Sequence, residues 1–383
     1  MSNLATDNHD LVVVGGGVLG STVALFAARG GMNVGLIDRG PICREASGTN
    51  AGTLTMQMTR VALIPYALEG HRMWANAQSW LGHDVGVQVC DGLSLAFTEN
   101  EEEILVERAN LRREAGAPIE LITAHRAKQI EPGLGDGIRV AAHCTVDGYA
   151  AAYLTGRAYR NALEQAGVTL YEGCPVKGIE QGQNSFTIVS AMRRVRARRL
   201  VLAGGVWLET MLGWLGVKVP VKVLVNQLAV TTPIKPVMRT VLGIASGLLS
   251  LKQFPHGSVV IGGGWQARGD KDRDRGTVLP DQVVGNTRLA IHTIPQLRDA
   301  KLLRAWTGYE AETEDAMPMV GPVPNVDGAY VCGSIHSGYT SGPYIAKLLA
   351  DHLLGREPER PLFPIDRLLL ARTPPQRIAE GVA

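Results

Sequence analysis

Leu11-Val-Val-Val14 runs straight into Gly15-Gly16-Gly17-Val18-Leu19-Gly20, and the reading of this junction decides the fold. The four apolar residues are mostly β-branched, the composition of a strand buried on both faces. After the G-x-G-x-x-G, Ser21 to Arg29 places alanines and a leucine at helical spacing, and Gly30-Gly31 stops the helix. Asn33-Val-Gly-Leu-Ile37 reads as a second strand, closed by Asp38. Strand, glycine turn, helix, strand and acid, in that order, make a dinucleotide-binding unit. Gly15 permits the tight turn, Gly17 lets a pyrophosphate approach the backbone, and Gly20 allows the helix to pack closely on the strand. The helix start at Val18 and Leu19 offers N–H groups and partial positive charge to phosphates. Asp38, 18 residues past Gly20, can accept hydrogen bonds from an adenosine ribose, and Arg39 beside it is an expected cofactor contact. This unit alone leaves NAD and FAD open.

The chain has 383 residues, 45% hydrophobic and 19% charged, enough for a large core and for two connected domains. Its 45 glycines exceed the usual share of roughly 7%, which predicts many turns and close backbone approaches. A net charge of +2 gives no reason to expect nucleic-acid binding. The one basic run, Arg193, Arg194, Arg196, Arg198 and Arg199, reads as the wet face of a hairpin. Cys43, Cys90, Cys144, Cys174 and Cys332 lie far apart with no C-x-x-C, so no metal or iron–sulfur site is expected within the chain. With no secretory h-region and no apolar run of roughly 20 residues, the expectation is a cytoplasmic protein without a membrane span.

Three further segments favour FAD. Cys43-Arg-Glu-Ala-Ser-Gly-Thr-Asn-Ala-Gly-Thr53 is small and polar, and follows the second strand directly. Arg199-Leu-Val-Leu-Ala-Gly-Gly-Val-Trp207 is an apolar strand ending in a double glycine. Ala329-Tyr-Val-Cys-Gly-Ser-Ile-His-Ser-Gly-Tyr-Thr-Ser-Gly-Pro-Tyr344 reads as strand, glycine loop and helix, continuing through Leu349 to Leu353.

Together these segments resemble the D-amino-acid oxidase, glycine oxidase and sarcosine oxidase family of flavoproteins over nearly the whole chain. The resemblance implies an α/β protein: a Rossmann-like FAD-binding domain and a discontinuous α+β substrate domain whose sheet roofs the flavin. It implies non-covalent FAD held by Ser47, Thr49, Asn50, Ala51 and Gly52 of the first segment. Ala203, Gly204, Gly205 and Trp207 match in the second, and Gly333, His336, Gly338, Tyr339 and Thr340 in the third. Val176 falls where the family makes a backbone contact to adenine. The helix N-terminus of the third segment would face the flavin pyrimidine ring and stabilise negative charge there. Cys332 ends a buried strand, where cysteine behaves as a small hydrophobe, so covalent attachment is not expected.

The domain expectation is 1–82, 141–206 and 305–383 for FAD, with 83–140 and 207–304 for substrate. Within the latter parts and their flanks, Pro65 to Leu81 and Glu99 to Gly116 read as amphipathic helices and Val87 to Phe97 as a strand. Val217 to Thr232 and Ser258 to Gly263 read as strands, with a helix near Asp281 to Ile291. Arg372 to Ala383, with Pro374-Pro375, is expected to fray.

In Arg304-Ala-Trp-Thr-Gly-Tyr-Glu-Ala-Glu-Thr-Glu-Asp-Ala-Met-Pro-Met-Val-Gly-Pro322, the family pattern is kept at Gly308, Thr313, Asp315, Pro318 and Gly321. The amino-acid oxidases place a carboxylate-binding arginine where this chain has Glu310. A carboxylate there repels a substrate carboxylate and attracts a cation or N–H donor. Expected substrate contacts are Tyr309, Glu310, His336 and Tyr339, with His71 and Trp265 as weaker candidates. Gly-Tyr-Glu-Ala and Gly-Tyr-Thr-Ser-Gly-Pro look most like flavin subunits of opine, hydroxyproline and hydrogen cyanide-forming glycine dehydrogenases. That resemblance implies a small-molecule amine or amino acid substrate and an iron–sulfur companion subunit, with an FMN at their interface. The implied chemistry is hydride transfer from the carbon bearing the amine to flavin N5, and hydrolysis of the imine. Three other readings stand beside it: a glycine or D-amino-acid oxidase acting alone, an NAD-dependent dehydrogenase, and a non-catalytic FAD-binding subunit.

Overall fold

The computed structural model describes residues 6–370, except 274, 336 and 337. The expected fraying of Arg372 to Ala383 falls outside the described residues. Two large sheets organise the chain.

The first sheet grows from β1 (Thr6–Val14), whose apolar end is fully buried. It pairs in parallel with β2 (Val34–Ile37) on one side and β12 (Arg194–Leu202) on the other, and β2 pairs in parallel with β9 (Thr169–Tyr171). β12 changes partner along its length. Its arginine-rich half pairs with β11 (Ser185–Ser190), itself in a hairpin with β10 (Val176–Gly182). Its apolar half pairs in parallel with β21 (Ala329–Gly333), which carries β20 (Met319–Pro322) on its far edge. The basic run lies on this hairpin with Arg198 at 2.5 Å from Asp10, Arg193 at 3.5 Å from Asp7, and Arg194 bonded to Glu180, an exposed ion-paired face.

Helices α1 (Val18–Arg29), α3 (Ile64–Ala75), α7 (Ala152–Gln165) and α10 (Gly338–Leu353) share one core with the first sheet. The contact of α3 with α10 is close because Gly70 faces Thr340: a Cβ there would lie 2.2 Å from the Thr340 carbonyl oxygen. Pro343, inside α10, has no N–H for the Tyr339 carbonyl. The Trp74 indole donates to that carbonyl at 2.7 Å instead, and the Trp74 ring stacks on Tyr339 at 4.7 Å.

The second sheet runs β19 (Leu302–Glu312), β13 (Lys222–Thr231), β16 (Val259–Gly262), β15 (Ser250–Gln253), β14 (Val241–Ile244), β5 (Gly92–Ala96), β7 (Val140–Cys144), β6 (Ile119–Thr123). It is antiparallel except between β14 and β5. Helix α5 (Glu99–Glu114) crosses the β5–β7–β6 end, and α9 (Pro280–Thr293) packs near β16 and β13. The start of α5 is set by a capping box: the Thr98 hydroxyl accepts from Glu101 N, and the Glu101 carboxylate accepts from Thr98 N. Its acids sit in the first turn and Arg112 and Arg113 in the last, as the helix dipole favours. A three-stranded sheet of β3 (Thr53–Leu54), β8 (Gly148–Tyr149) and β4 (Gln88–Val89) lies between the large sheets, and β17 (Arg268–Asp270) pairs with β18 (Arg275–Thr277). The remaining helices are short: α2 (Ala46–Thr49), α4 (Ala77–Leu81), α6 (Ala124–Ile130), α8 (Leu208–Trp214) and α11 (Asp366–Leu370).

Several expected elements differ in extent. Pro65 to Leu81 is two helices, α3 and α4, because Asn76 leaves helical geometry at φ −107° and ψ 26°. Val87 to Phe97 is two strands in different sheets, β4 and β5, separated by Asp91 at φ +63°. The expected strand from Val217 starts at Lys222, after Pro220, which has no N–H for a ladder. The expected domain boundaries at 140/141 and 304/305 fall inside β7 and β19, both members of the second sheet.

Candidate active site

A cavity of about 830 Å³ lies between the carboxyl ends of β1 and β12 and the underside of the second sheet. In an open α/β sheet this is where ligands bind. Its first end is the glycine turn. Gly15 has φ +112°, and its would-be Cβ meets the Ala203 carbonyl oxygen at 2.4 Å, so the turn and the double-glycine strand touch backbone to backbone. Gly20 sits under the same turn: its Cβ would lie 1.9 Å from the Gly15 carbonyl oxygen. Gly17 is different. A Cβ there would meet only the Ser47 hydroxyl, at 3.1 Å, and at Gly205, with φ +56°, it would meet nothing within 4 Å. These two glycines leave room in the wall for a ligand.

Asp38 lines the cavity beside the glycine turn. Its carboxylate accepts from Gly16 N at 2.6 Å and Gly40 N at 2.7 Å, while burial raises its pKa above the usual carboxylate range. Arg39 lies 3.8 Å above the Trp207 ring and pairs with Glu45 at 3.1 Å. Val176 lines the same end. The Ser47 hydroxyl accepts from Val18 N at 2.9 Å, tying the polar segment to the start of α1.

The structure brings Gly15, Gly17, Val18, Leu19, Asp38, Arg39, Ser47, Thr49, Asn50 and Ala51 to one cavity wall with Val176 and Ala203 to Gly205. Trp207, Gly338, Tyr339, Thr340, Tyr309 and Glu310 line it too. Gly20, Gly52 and Gly333 pack behind it, their Cβ positions blocked by the Gly15 carbonyl, the Ala150 carbonyl and Leu208 at 1.9, 2.0 and 2.4 Å. His336 falls outside the described residues. Cys332 is fully buried in β21 behind the cavity, with its thiol pushed up to about 12 by burial.

At the far end, Glu310 Oε2 accepts from Asn226 Nδ2 at 2.7 Å, and Asn226 Oδ1 accepts from Gln266 Nε2 at 2.7 Å. Tyr309 is buried edge-on to Trp207, with ring centroids 6.4 Å apart. The Tyr339 hydroxyl bonds Thr155 at 2.7 Å and its ring stacks on Trp74, so this phenol, its pKa raised by burial, is anchored on both sides. His71 lies buried on α3, its pKa lowered by burial, outside the cavity wall. Trp265 packs on Gly285 of α9 and donates to the Leu248 carbonyl at 2.8 Å.

Sequence reasoning did not single out Gln57, Arg108, Arg112, Asp147, Asn226 or Lys252. Asp147 is buried and accepts from Thr55 Oγ1 at 2.5 Å and Met56 N at 2.7 Å; burial raises its pKa. Lys252 is fully buried on β15 and donates to Thr53 Oγ1 at 2.5 Å; burial brings its amine down to about 7. Their signal was weak, since a polar residue inside a strand or beside a glycine turn shows its burial only after the strands pair.

The fold and this cavity define a dinucleotide-binding protein whose cavity is bounded by the second sheet. The sequence profile of the family described as FAD dependent oxidoreductase (DAO) matches residues 10–352, and the chain belongs to that family. It is 25% identical to a glycine oxidase of Geobacillus kaustophilus over 94% of this chain and 96% of that protein. It is 27% identical to one of the subunits of an opine oxidase from Agrobacterium tumefaciens, over 90% of this chain and 93% of the relative. The crystal structure of the Geobacillus kaustophilus glycine oxidase superposes with a TM-score of 0.84 at 23% identity, covering 94% of this chain and 98% of that one. The cofactor is therefore FAD, and the glycine-lined wall from Asp38 to Thr340 fits it. An FMN at an interface remains an implication of the resemblance, without support from these matches. Among the described residues no helix is long and apolar enough to cross a membrane.

Proposed function

We propose that this chain oxidises a primary or secondary amine, or an amino acid, at the C–N bond, releasing an imine that water hydrolyses. FAD, when bound, supplies the hydride acceptor. The observation that carries the reading is one continuous cavity with a dinucleotide wall at one end and the Glu310–Asn226–Gln266 hydrogen-bonded row at the other. A carboxylate held by a carboxamide suits an ammonium or N–H donor and positions it under the second sheet. The anchored Tyr339 and the Thr340 hydroxyl, 3.3 Å from Thr55 N, hold the start of α10 against β3. That helix start offers partial positive charge to the cavity.

The likeness to the opine oxidase component over 90% of the chain supports a second element of the proposal, a flavin subunit working with a companion that carries electrons onward. The relative's name says only that it is one subunit of a larger enzyme, and an iron–sulfur centre in the companion belongs to the proposal. Two domains divide along the two sheets, with strands 140–144 and 302–312 assigned to the substrate domain. The five free cysteines, four of them buried, support a reducing cytoplasmic setting.

The test is turnover with an artificial electron acceptor across glycine, the stereoisomers of proline and hydroxyproline, N-methylglycine, D-amino acids and arginine-derived opines. Acceptor reduction with matching carbonyl product from one class supports the reading. A flavin-loaded protein that turns over none of these, alone or with its companion, would overturn it.

A further inference from the structure

Helix α5 turns one face towards the cavity, with Leu105, Arg108 and Arg112 on it, at helical spacings of three and four. Arg108 stands at the mouth and donates from Nη1 to the Ala245 carbonyl at 2.9 Å. Arg112 lies deeper and donates from Nε to the Thr59 carbonyl at 2.9 Å. Neither makes an ion pair within the described residues, and the terminal amino groups of Arg112 have no partner there. Arg39, the other arginine on the cavity wall, is paired with Glu45 at 3.1 Å.

The acid whose charge reaches Arg112 is Asp147. Its oxygens are already taken by Thr55, Met56 and, at 3.4 Å, Gln57 Nε2. Burial, and next the charge of Arg108, lower the Arg112 pKa to about 10. It remains a cation at neutral pH, half out of water beside a like charge. Two neighbouring cations at a cavity wall are stabilised by an anion between them. Gln57 adds a second feature. Its Oε1 is buried without a hydrogen-bond partner and lines the same cavity, two residues before the carbonyl that anchors Arg112. An acceptor left open beside an anion site fits the N–H of a ligand that carries its anion close to nitrogen.

We propose that Arg112 and Arg108 form a carboxylate subsite of this cavity, so that the substrate is an amino acid held by its carboxylate from α5. This rests on the amine-oxidising reading above. It puts the carboxylate-binding arginines on α5, in a chain that has an acid at position 310. Planar guanidinium groups match a carboxylate bidentately, which lysines do not.

The test is binding to the FAD-loaded enzyme, read as the shift of its visible flavin spectrum on titration with benzoate and with uncharged benzamide. The wild type is expected to bind benzoate and to ignore benzamide. Arg112→Gln should raise the benzoate Kd at least 10-fold, Arg108→Gln several-fold, and Arg112→Lys should restore part of the loss. Equal response to benzamide and benzoate, no response to either, or a benzoate Kd unchanged in Arg112→Gln would overturn the subsite. Should Arg112→Gln not fold, Arg108→Gln decides, since an unchanged Kd there has the same consequence. Benzoate binding governed by the arginines in a protein that no amine reduces would sink the oxidation reading and leave the subsite. Amine oxidation indifferent to both arginines would do the reverse.

Discussion

Glu310 and Lys252 are buried to different degrees, and each makes a separate prediction. Glu310 stays bonded to Asn226 at 2.7 Å whether it is glutamate or glutamine, so Glu310→Gln removes charge with little change of shape. Loss of one charge-assisted bond is worth roughly 1.5–3 kcal/mol. The variant should keep its FAD and slow anaerobic flavin reduction by the best amine at least tenfold at low substrate, seen by stopped flow. Equal rates would place the amine elsewhere.

Lys252 tests stability. Its amine titrates at about 7 in the folded chain, against roughly 10.4 when unfolded. Between these values the unfolded chain binds a proton that the folded chain does not, so stability from this group rises with pH across the window. Below it both states are protonated and the cost of a buried charge is complete. Lys252→Met should therefore raise Tm most near about pH 6, with the gain shrinking towards about pH 9. Parallel Tm curves for the two proteins would contradict the assignment.

At the scale of elements, the glycine turn and the α3–α10 contact make the clearest cases. Gly17 has φ −69°, which any residue adopts, and its Cβ would meet only Ser47. Gly17→Val should leave the folded apo-protein nearly as stable, yet abolish FAD retention, as thermal unfolding with and without added FAD would show. Loss of fold in the apo-protein would mean that the glycine serves packing. On α10, Trp74 supplies the donor that Pro343 lacks. Trp74→Phe should cost roughly 1–3 kcal/mol for an orphaned buried carbonyl. In a Pro343→Ala background the helix can satisfy that carbonyl itself, so the same change should cost less. Denaturant unfolding of the four proteins gives the coupling, and strict additivity would contradict it.

At the scale of the molecule, the parts of the fold written in contiguous sequence were legible. The run from Leu11 to Asp38 carries its strand, turn and helix signals in one stretch, and three more glycine motifs placed the cofactor wall. What stayed hidden depends on chain crossings. Val87 to Phe97 looked like one strand because nothing local reveals that its halves join different sheets, a division made by Asp91 at φ +63°. Glu99 to Gly116 reads as an amphipathic helix, but nothing local marks Arg112 within it, and only the packing of α5 against the second sheet brings it to the cavity. Asp147 and Gln57 lie 90 positions apart in the chain yet meet at 3.4 Å.

FAD in this cavity is expected to accept a hydride from a carbon bearing an amine. The most direct measurement is the visible flavin band of the purified protein under anaerobic conditions, followed on addition of an amino acid and of its N-acetylated twin. The free amine should bleach the band and the amide should not. A band that neither compound changes, or that both bleach alike, would contradict it.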